Sequence, residues 1–511
     1  MNLLSALAKI SGFTLLSRVT GLIRESLIAS AFGATGLTDA FVVAFRIPNL
    51  LRRLFAEGAF SQAFVPILAE TRKGGDEERT RSLIDHTASA LAVILLGVTV
   101  VGVLLSPQIV TLTAPGFIGD AKRYDLTVEM LRVTFPYILF IALTGFAGAI
   151  LNTWGRFSIP AFTPVLLNLS FIGCILWLRP YFDPGIRVLA WAVMIGGAAQ
   201  LCLQWSALRR VNLLPRFRLD WSDPGVRRIL RQMAPALLGV SVAQISLVLN
   251  TIIASILSEG SITWLSYADR LMEFPTGMLG VALGTILLPS LSRAAKEPDG
   301  NFSELLDWGL RLTFLLALPA ALGLAILATP LVATLYHYGK FGAADVAATQ
   351  SALMAYACGL VGLILVKVLA PGFYARQDIR TPVRFAIITL VLTQVLNLAL
   401  MGPFKHAGLA LAISIGACVN ATMLWHGLVK RSAYRARPGW ALFLAKLALA
   451  LAVMGAALWA LNLPDARWIA LRVHPLLRVG TLAGIVSVGA LVYFATLAVL
   501  GFRLGDFKRT A

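Results

Sequence analysis

Stretches of about 20 mostly apolar residues recur from one end of the chain to the other, the length a helix needs to cross a bilayer at about 1.5 Å per residue. Such windows fall near 11–33, 37–57, 83–106, 129–150, 160–178, 188–206, 233–257, 264–289, 309–328, 350–370, 383–401, 407–427, 440–461 and 479–500. The first, second and eighth are the least apolar. Composition closes the other routes. Of 511 residues, 58% are apolar and 14% charged, against roughly 25% charged in soluble domains. A mean hydropathy of +0.80 excludes a disordered chain, a coiled coil and a secreted disulfide scaffold. The expected fold is an all-α polytopic membrane protein with fourteen transmembrane helices. The connections are short, which leaves no room for a sizeable extramembrane domain.

The net charge of +19 would suggest nucleic acid in a soluble protein. Here the cations cluster in short loops between apolar spans, which is the mark of membrane insertion, so nucleic acid is not an expected partner. Arg72, Lys73, Arg79 and Arg81 form one cluster, and Arg209, Arg210, Arg216, Arg218, Arg227, Arg228 and Arg231 a second. Arg376, Arg380 and Arg384 form a third, and Lys430, Arg431, Arg435 and Arg437 a fourth. The side holding these clusters carries about 25 Lys and Arg against about 9 opposite. With an even number of spans, both termini are expected on that side, in the cytoplasm. Ala29-Ser30-Ala31 resembles a cleavage site, but Arg18, Arg24 and Glu25 interrupt the apolar run, so residues 1–33 read as a retained span. Cys174, Cys202, Cys358 and Cys418 sit singly inside apolar segments and read as small buried groups.

An internal repeat organises the spans. Residues 28–46 (IASAFGATGLTDAFVVAFR) and 253–270 (IASILSEGSITWLSYADR) share Ile-Ala-Ser, a Gly, a Thr and a terminal Arg. The following segments also end alike, around Pro66 and Pro289. The interval covers six spans, an even number, so the halves are expected to be parallel and related by a pseudo-two-fold axis along the membrane normal. This gives an N-terminal lobe over 1–220, a C-terminal lobe over 221–430, and two appended helices with the C-terminus over 431–511.

Ionisable groups inside spans are costly in lipid and normally face protein or water. Ser11, Thr14, Arg18, Gly21 and Glu25 share one face of the first span, with Ser17, Thr20 and Arg24 on the neighbouring stripe. Asp39, Arg46 and Arg53 recur at intervals of seven in the second span, with Arg52 and Glu57 near its end. Arg270, Glu273, Gly277, Gly280 and Gly284 share a face of the eighth, beside Asp269. Salt-bridged packing is the rival explanation. It is the stronger one for Arg53 and Glu57 at an interface, and the glycine face reads first as helix packing. For Arg18, Arg24 and Arg270, which lie deeper, a ligand is the better reading. Arginine matches phosphate geometry and keeps its charge when partly dehydrated, so the pattern suits a phosphate or pyrophosphate headgroup. Asn250, Gln394, Asn397 and Asn420 are weaker candidates for a coupling-cation site, since buried amides usually bond neighbouring helices. Neither a catalytic constellation nor a P-loop occurs, so the chain reads as a transporter that does not hydrolyse nucleotide itself.

Residues 38–70 (TDAFVVAFRIPNLLRRLFAEGAFSQAFVPILAE), 113–117 (TAPGF), 151–168 (LNTWGRFSIPAFTPVLLN), 267–292 (YADRLMEFPTGMLGVALGTILLPSLS) and 366–383 (VKVLAPGFYARQDIRTPV) closely resemble the MurJ (MviN) family of bacterial lipid II flippases. The likeness runs the length of the chain. It implies the fold of the multidrug/oligosaccharidyl-lipid/polysaccharide exporter superfamily, with two six-helix lobes plus two helices. It also implies passage of lipid II, an undecaprenyl-pyrophosphate-linked peptidoglycan precursor, from the inner to the outer leaflet of the cytoplasmic membrane. Family cavity residues match Arg18, Arg24, Asp39, Arg52, Asp269, Arg270 and Glu273 here, the arginines being assigned to the pyrophosphate. The last two spans would hold the polyprenyl tail. Membrane lipids and other cell-wall synthesis proteins are the further partners it suggests. Some relatives bind sodium, but Asn250 stands here where one of them has an acid. Membrane potential is therefore kept beside a cation as the expected driver, with no cofactor otherwise. The alternatives within the superfamily are a flippase for another polyprenyl-linked oligosaccharide and a cation-coupled drug exporter.

Overall fold

The computed structural model describes residues 3–53, 59–296 and 301–502, and every regular element among them is helical. The chain divides into two compact units, 1–260 and 261–511.

The first unit contains α1 (Leu3–Phe32), α2 (Gly36–Arg52), α3 (Ala59–Lys73), α4 (Glu77–Leu104), α5 (Ser106–Thr113), α6 (Ala121–Thr134), α7 (Tyr137–Thr153), α8 (Ser158–Gly173), α9 (Arg187–Arg210) and α10 (Pro224–Ile256). Helix starts are set by side chains that accept orphan backbone N–H groups. Thr35 caps α2, Asp76 caps α4, Asp120 caps α6 and Asp223 caps α10. α1 packs on α8, α2 on α6, α3 on α7 and α10, and α9 on α7 and α8. Two aromatic groups fill the spaces, Phe41, Phe45, Tyr137 and Phe171 in one and Phe60, Phe64 and Phe146 in the other. Leu96, Val100, Val101 and Leu104 stay exposed on α4, as a lipid-facing surface requires.

The basic connection between α9 and α10 is strapped to α4. The buried Asp85 carboxylate accepts from the Arg216 N–H at 2.8 Å, and the Ser89 hydroxyl accepts from the Arg218 N–H at 2.8 Å. His86 Nδ1 lies 2.8 Å from the Asp223 carboxylate. Burial alone would push that carboxyl up. Its bonds to His86 and to the Val226 and Gly225 N–H groups outweigh burial and hold it below the usual range.

The second unit contains α11 (Ser261–Ala294), α12 (Phe302–Ile326), α13 (Ala328–Tyr336), α14 (Ala343–Tyr374), α15 (Arg380–Lys430), α16 (Trp440–Leu461), α17 (Asp465–Ala470) and α18 (Pro475–Val499). α14 is its centre, packed by α11, α12 and α15, while α16 and α18 pair with each other and lean on α12. α14 and α15 approach closely because Gly359 faces the Ser414 backbone and Gly362 faces Ala417 and Cys418. α15 breaks at Lys405, whose φ of 49° lies in the left-handed region. It thus covers the two windows expected at 383–401 and 407–427. Asp307 on α12 clamps the connection into α16, accepting from Tyr434 at 2.8 Å and from the Trp440 indole at 2.7 Å. Burial and this carboxylate push the Tyr434 phenol above its ordinary range.

Among the described residues the windows read from the sequence fall on helical segments, the one near 129–150 across both α6 and α7, and residues 54–57 of the second window lie outside the described residues. Nine helical segments there are long and apolar enough to cross a membrane, so the count of fourteen stays an expectation. α2, at 17 residues, is short of that length, and α1 carries Arg18, Arg24 and Glu25 mid-helix. Both halves of the sequence repeat fold as a helix, a tight turn and a second helix, at Phe32–Gly36 and Ile256–Ser261.

Candidate functional site

In the first unit the polar stripe of α1 meets a single amide on α8. Asn168 donates to the Ser17 carbonyl at 3.0 Å and to the Thr20 hydroxyl at 3.1 Å, and its oxygen accepts from Arg24 Nη1 at 3.0 Å. Ser17, Thr20 and Arg24 reach it together because three- and four-residue steps align on one helix face. Gly21 lies on the same face, where a Cβ would make only ordinary contact with the Asn168 amide nitrogen, at 3.6 Å. Arg24 Nη2 pairs with Glu25, and the guanidinium lies 5.2 Å from the Phe171 ring centroid. Its Nε, buried, has no hydrogen-bond acceptor among the described residues. Arg24 is therefore a held cation, its side chain about 13% exposed inside a span. Arg18 is exposed one turn and a half earlier.

Asp39 belongs to a second network. Its carboxylate is fully buried and accepts from Arg123 Nη2 at 2.7 Å and from the Gly260 N–H at 2.8 Å. Arg123 lies flat on Phe117, 3.7 Å from the ring centroid. Arg46 bonds the Thr251 hydroxyl, and Arg52 donates to Asn49 at 2.9 Å. Of the three residues grouped by the seven-residue interval, Asp39 and Arg46 thus reach different neighbours, and Arg53 caps the C-terminal end of α2. Glu57 lies outside the described residues.

In the second unit Arg270 and Glu273 form the i, i+3 pair that their spacing implies, at 2.9 Å, with side chains 44% and 40% exposed. Asp269 stands beside them, half-buried. The glycine face of α11 receives Lys367 from α14. A Cβ at Gly280 would stand 2.5 Å from Lys367 Cδ, and the ammonium donates to the Thr276 carbonyl at 3.2 Å. The Glu273 carboxylate lies within electrostatic reach of that ammonium. Among the weaker ion-site candidates, Asn397 donates to Gln394 at 3.2 Å on α15, and Asn250 lies on α10 in the first unit. Among the described residues no three His, Cys, Asp or Glu side chains converge as a metal site requires.

Sequence reading passed over Asn168, Arg123 and Lys367. Lys367 stands in the stretch VKVLAPGF and Asn168 closes LNTWGRFSIPAFTPVLLN, so a lone polar residue in an otherwise apolar span was the available signal. Chemically, the arrangement offers fixed guanidinium groups inside spans, oriented by amides and carboxylates. Such a group binds an oxyanion without reorganising.

A family model described as "Lipid II flippase MurJ" matches residues 28–477. A relative of that name from Burkholderia cenocepacia is 51% identical over 518 residues, covering 100% of both chains. A "Probable lipid II flippase MurJ" of Vibrio cholerae is 43% identical, covering 98% of this chain and 96% of its own. Among solved structures, "Lipid II flippase MurJ, inward closed conformation" superposes with a TM-score of 0.79 at 25% identity, over 96% of this chain and 98% of that one. An inward-facing multidrug resistance MATE family transporter of the MOP superfamily shares the fold at 16% identity, with a TM-score of 0.68 over 84% of this chain and 98% of its own. Identity at this level along the entire length, with the same helical fold, makes the chain a member of the MurJ family.

Proposed function

We propose that this protein carries lipid II from the inner to the outer leaflet of the cytoplasmic membrane by alternating access, with both termini in the cytoplasm. The observation that carries the reading is Arg24, held within a span by Asn168, Glu25 and Phe171. A pyrophosphate meeting the exposed edge of this guanidinium finds an oriented cation of matching charge. Arg18, Arg52 and Arg270 add positive charge along the headgroup's route. Glu25 and Glu273 orient Arg24 and Arg270, and together with Asp269 they limit repulsion when no substrate is bound, while Asp39 anchors Arg123. The polyprenyl tail stays in the apolar phase along α16 and α18. Membrane potential resets the empty carrier, each elementary charge moved through 100 mV being worth about 2.3 kcal/mol. A coupling cation at Asn250, Gln394 or Asn397 is the alternative driver.

Binding of an undecaprenyl-pyrophosphate-linked precursor to the purified protein in lipid nanodiscs tests this. Arg24→Ala and Arg270→Ala should each weaken binding by about tenfold or more. Arg187→Ala, whose partner is the exposed Glu129, should leave it unchanged. Unaltered binding in both cavity variants would overturn the assignment.

A further inference from the structure

The connection between α8 and α9 holds a cavity lined by none of the residues assigned above to lipid II. α8 ends in a wide π-helical turn, Cys174–Leu178, which tightens into a 3-10 turn at Arg179–Tyr181. Wide turns of this kind re-aim the side chains that follow and recur at functional sites. Beside them opens a cavity of about 480 Å³ lined by Ile175, Leu176, Arg179, Pro180, Phe182 and Gly185. Gly185 gives the arginine its place, since a Cβ there would stand 3.3 Å from Arg179 Cγ.

Arg179 lies over Phe32, 5.2 Å from the ring centroid. Among the described residues its guanidinium pairs with no carboxylate and donates to no acceptor. The acid on α6, Glu129, is taken up by Arg187 at 2.8 Å, and Arg187 also bonds the Asp183 carbonyl. The segments 158–181 and 187–210 are both long and apolar enough to cross a membrane, which places the connection between them where hydrocarbon meets headgroups. Trp177 and Tyr181, 72% and 82% exposed, flank it as interfacial aromatics do.

We propose that this cavity binds a glycerophospholipid, its phosphate on Arg179 and an acyl chain along Ile175 and Leu176. At this depth a bilayer lipid presents a phosphate and an apolar chain together, matching a cation set among apolar walls. Asp183, exposed in the same turn, favours a headgroup that also carries an ammonium. The site is independent of the flippase reading and stands if that reading fails.

Native mass spectrometry of the delipidated full-length protein, titrated with palmitoyl-oleoyl phosphatidylethanolamine, tests it. Arg179→Ala should weaken the tightest-bound lipid by about tenfold, and Arg179→Lys, which keeps the charge, by less. Palmitoyl-oleoyl glycerol, which lacks the phosphate, should not compete, and neither should inorganic phosphate. Equal lipid binding by wild type and Arg179→Ala overturns the proposal. Equal occupancy by the diacylglycerol reduces the site to an apolar groove, and displacement by inorganic phosphate makes it a simple anion site. Either result also overturns it. An unchanged elution profile and melting temperature for Arg179→Ala keeps loss of binding distinct from loss of fold.

Discussion

Asn168 spends three hydrogen bonds on α1, and one of them orients Arg24. Replacing it with Ala keeps every cavity charge and removes only the fixed direction of the guanidinium. Flippase activity should fall by about tenfold with normal membrane levels. Asn168→Asp, which keeps the acceptor, should retain more activity than Asn168→Ala; equal activity of all three forms would make the amide a packing residue. His337 reports on a different region. Burial and the nearby charges of Arg472 and Arg478 push its imidazole below the ordinary value of 6.5. Arg478 donates to the His337 carbonyl at 3.3 Å and lies over Tyr338. The unfolded chain takes up this proton before the folded one, so the contribution is complete above pH 6.5 and shrinks as pH falls toward the lower folded value. Wild type should therefore lose more thermal stability between pH 7.5 and 5.5 than His337→Gln. Parallel losses would contradict the assignment. At this scale legibility followed sequence distance. Arg270 and Glu273 stand one turn apart and were readable. Asn168 and Arg24 are separated by 144 residues, Arg123 and Asp39 by 84, and Lys367 and Thr276 by 91, so only the fold joins them.

Among elements, α14 and α15 approach backbone to backbone. A Cβ on Gly362 would stand 2.8 Å from the Cys418 backbone nitrogen and 2.9 Å from the Ala417 carbonyl carbon, neither of which can rotate away. Gly362→Ala must push the helices apart, at a cost of roughly 1–3 kcal/mol, and should lower the melting temperature by about 5 °C. Gly480 on α18 has nothing within 4 Å, so Gly480→Ala should leave it unchanged or raise it slightly. Equal shifts in the two variants would mean that helix propensity, not packing, decides. The windows of apolar sequence located the helices, because hydrocarbon requires each span to satisfy its own backbone. They located ends less well. The break at Lys405 falls in the gap between the windows at 383–401 and 407–427, whereas α5, α13 and α17 are too short to leave a periodic signal. The glycine face of α11 was legible as packing, but its occupant, the Lys367 stem, was not.

For the whole molecule, the sequence repeat and the alternating basic loops led to the expectation of a two-lobed transporter, and the cytoplasmic placement of those loops belongs to the proposal. The charges left inside spans pointed to an anionic load. The structure adds how one of those charges is held, and the family adds the load's identity as a proposal. The most direct measurement is made in cells depleted of their own flippase and supplied with this protein, reading how much lipid-linked precursor becomes accessible to a cleaving reagent added outside. With membrane levels matched, wild type should restore accessibility, while Arg24→Ala and Arg270→Ala should each fall to about a tenth of it or below. Full activity in both variants would make the arginines structural. No restoration by wild type would contradict lipid II as the substrate.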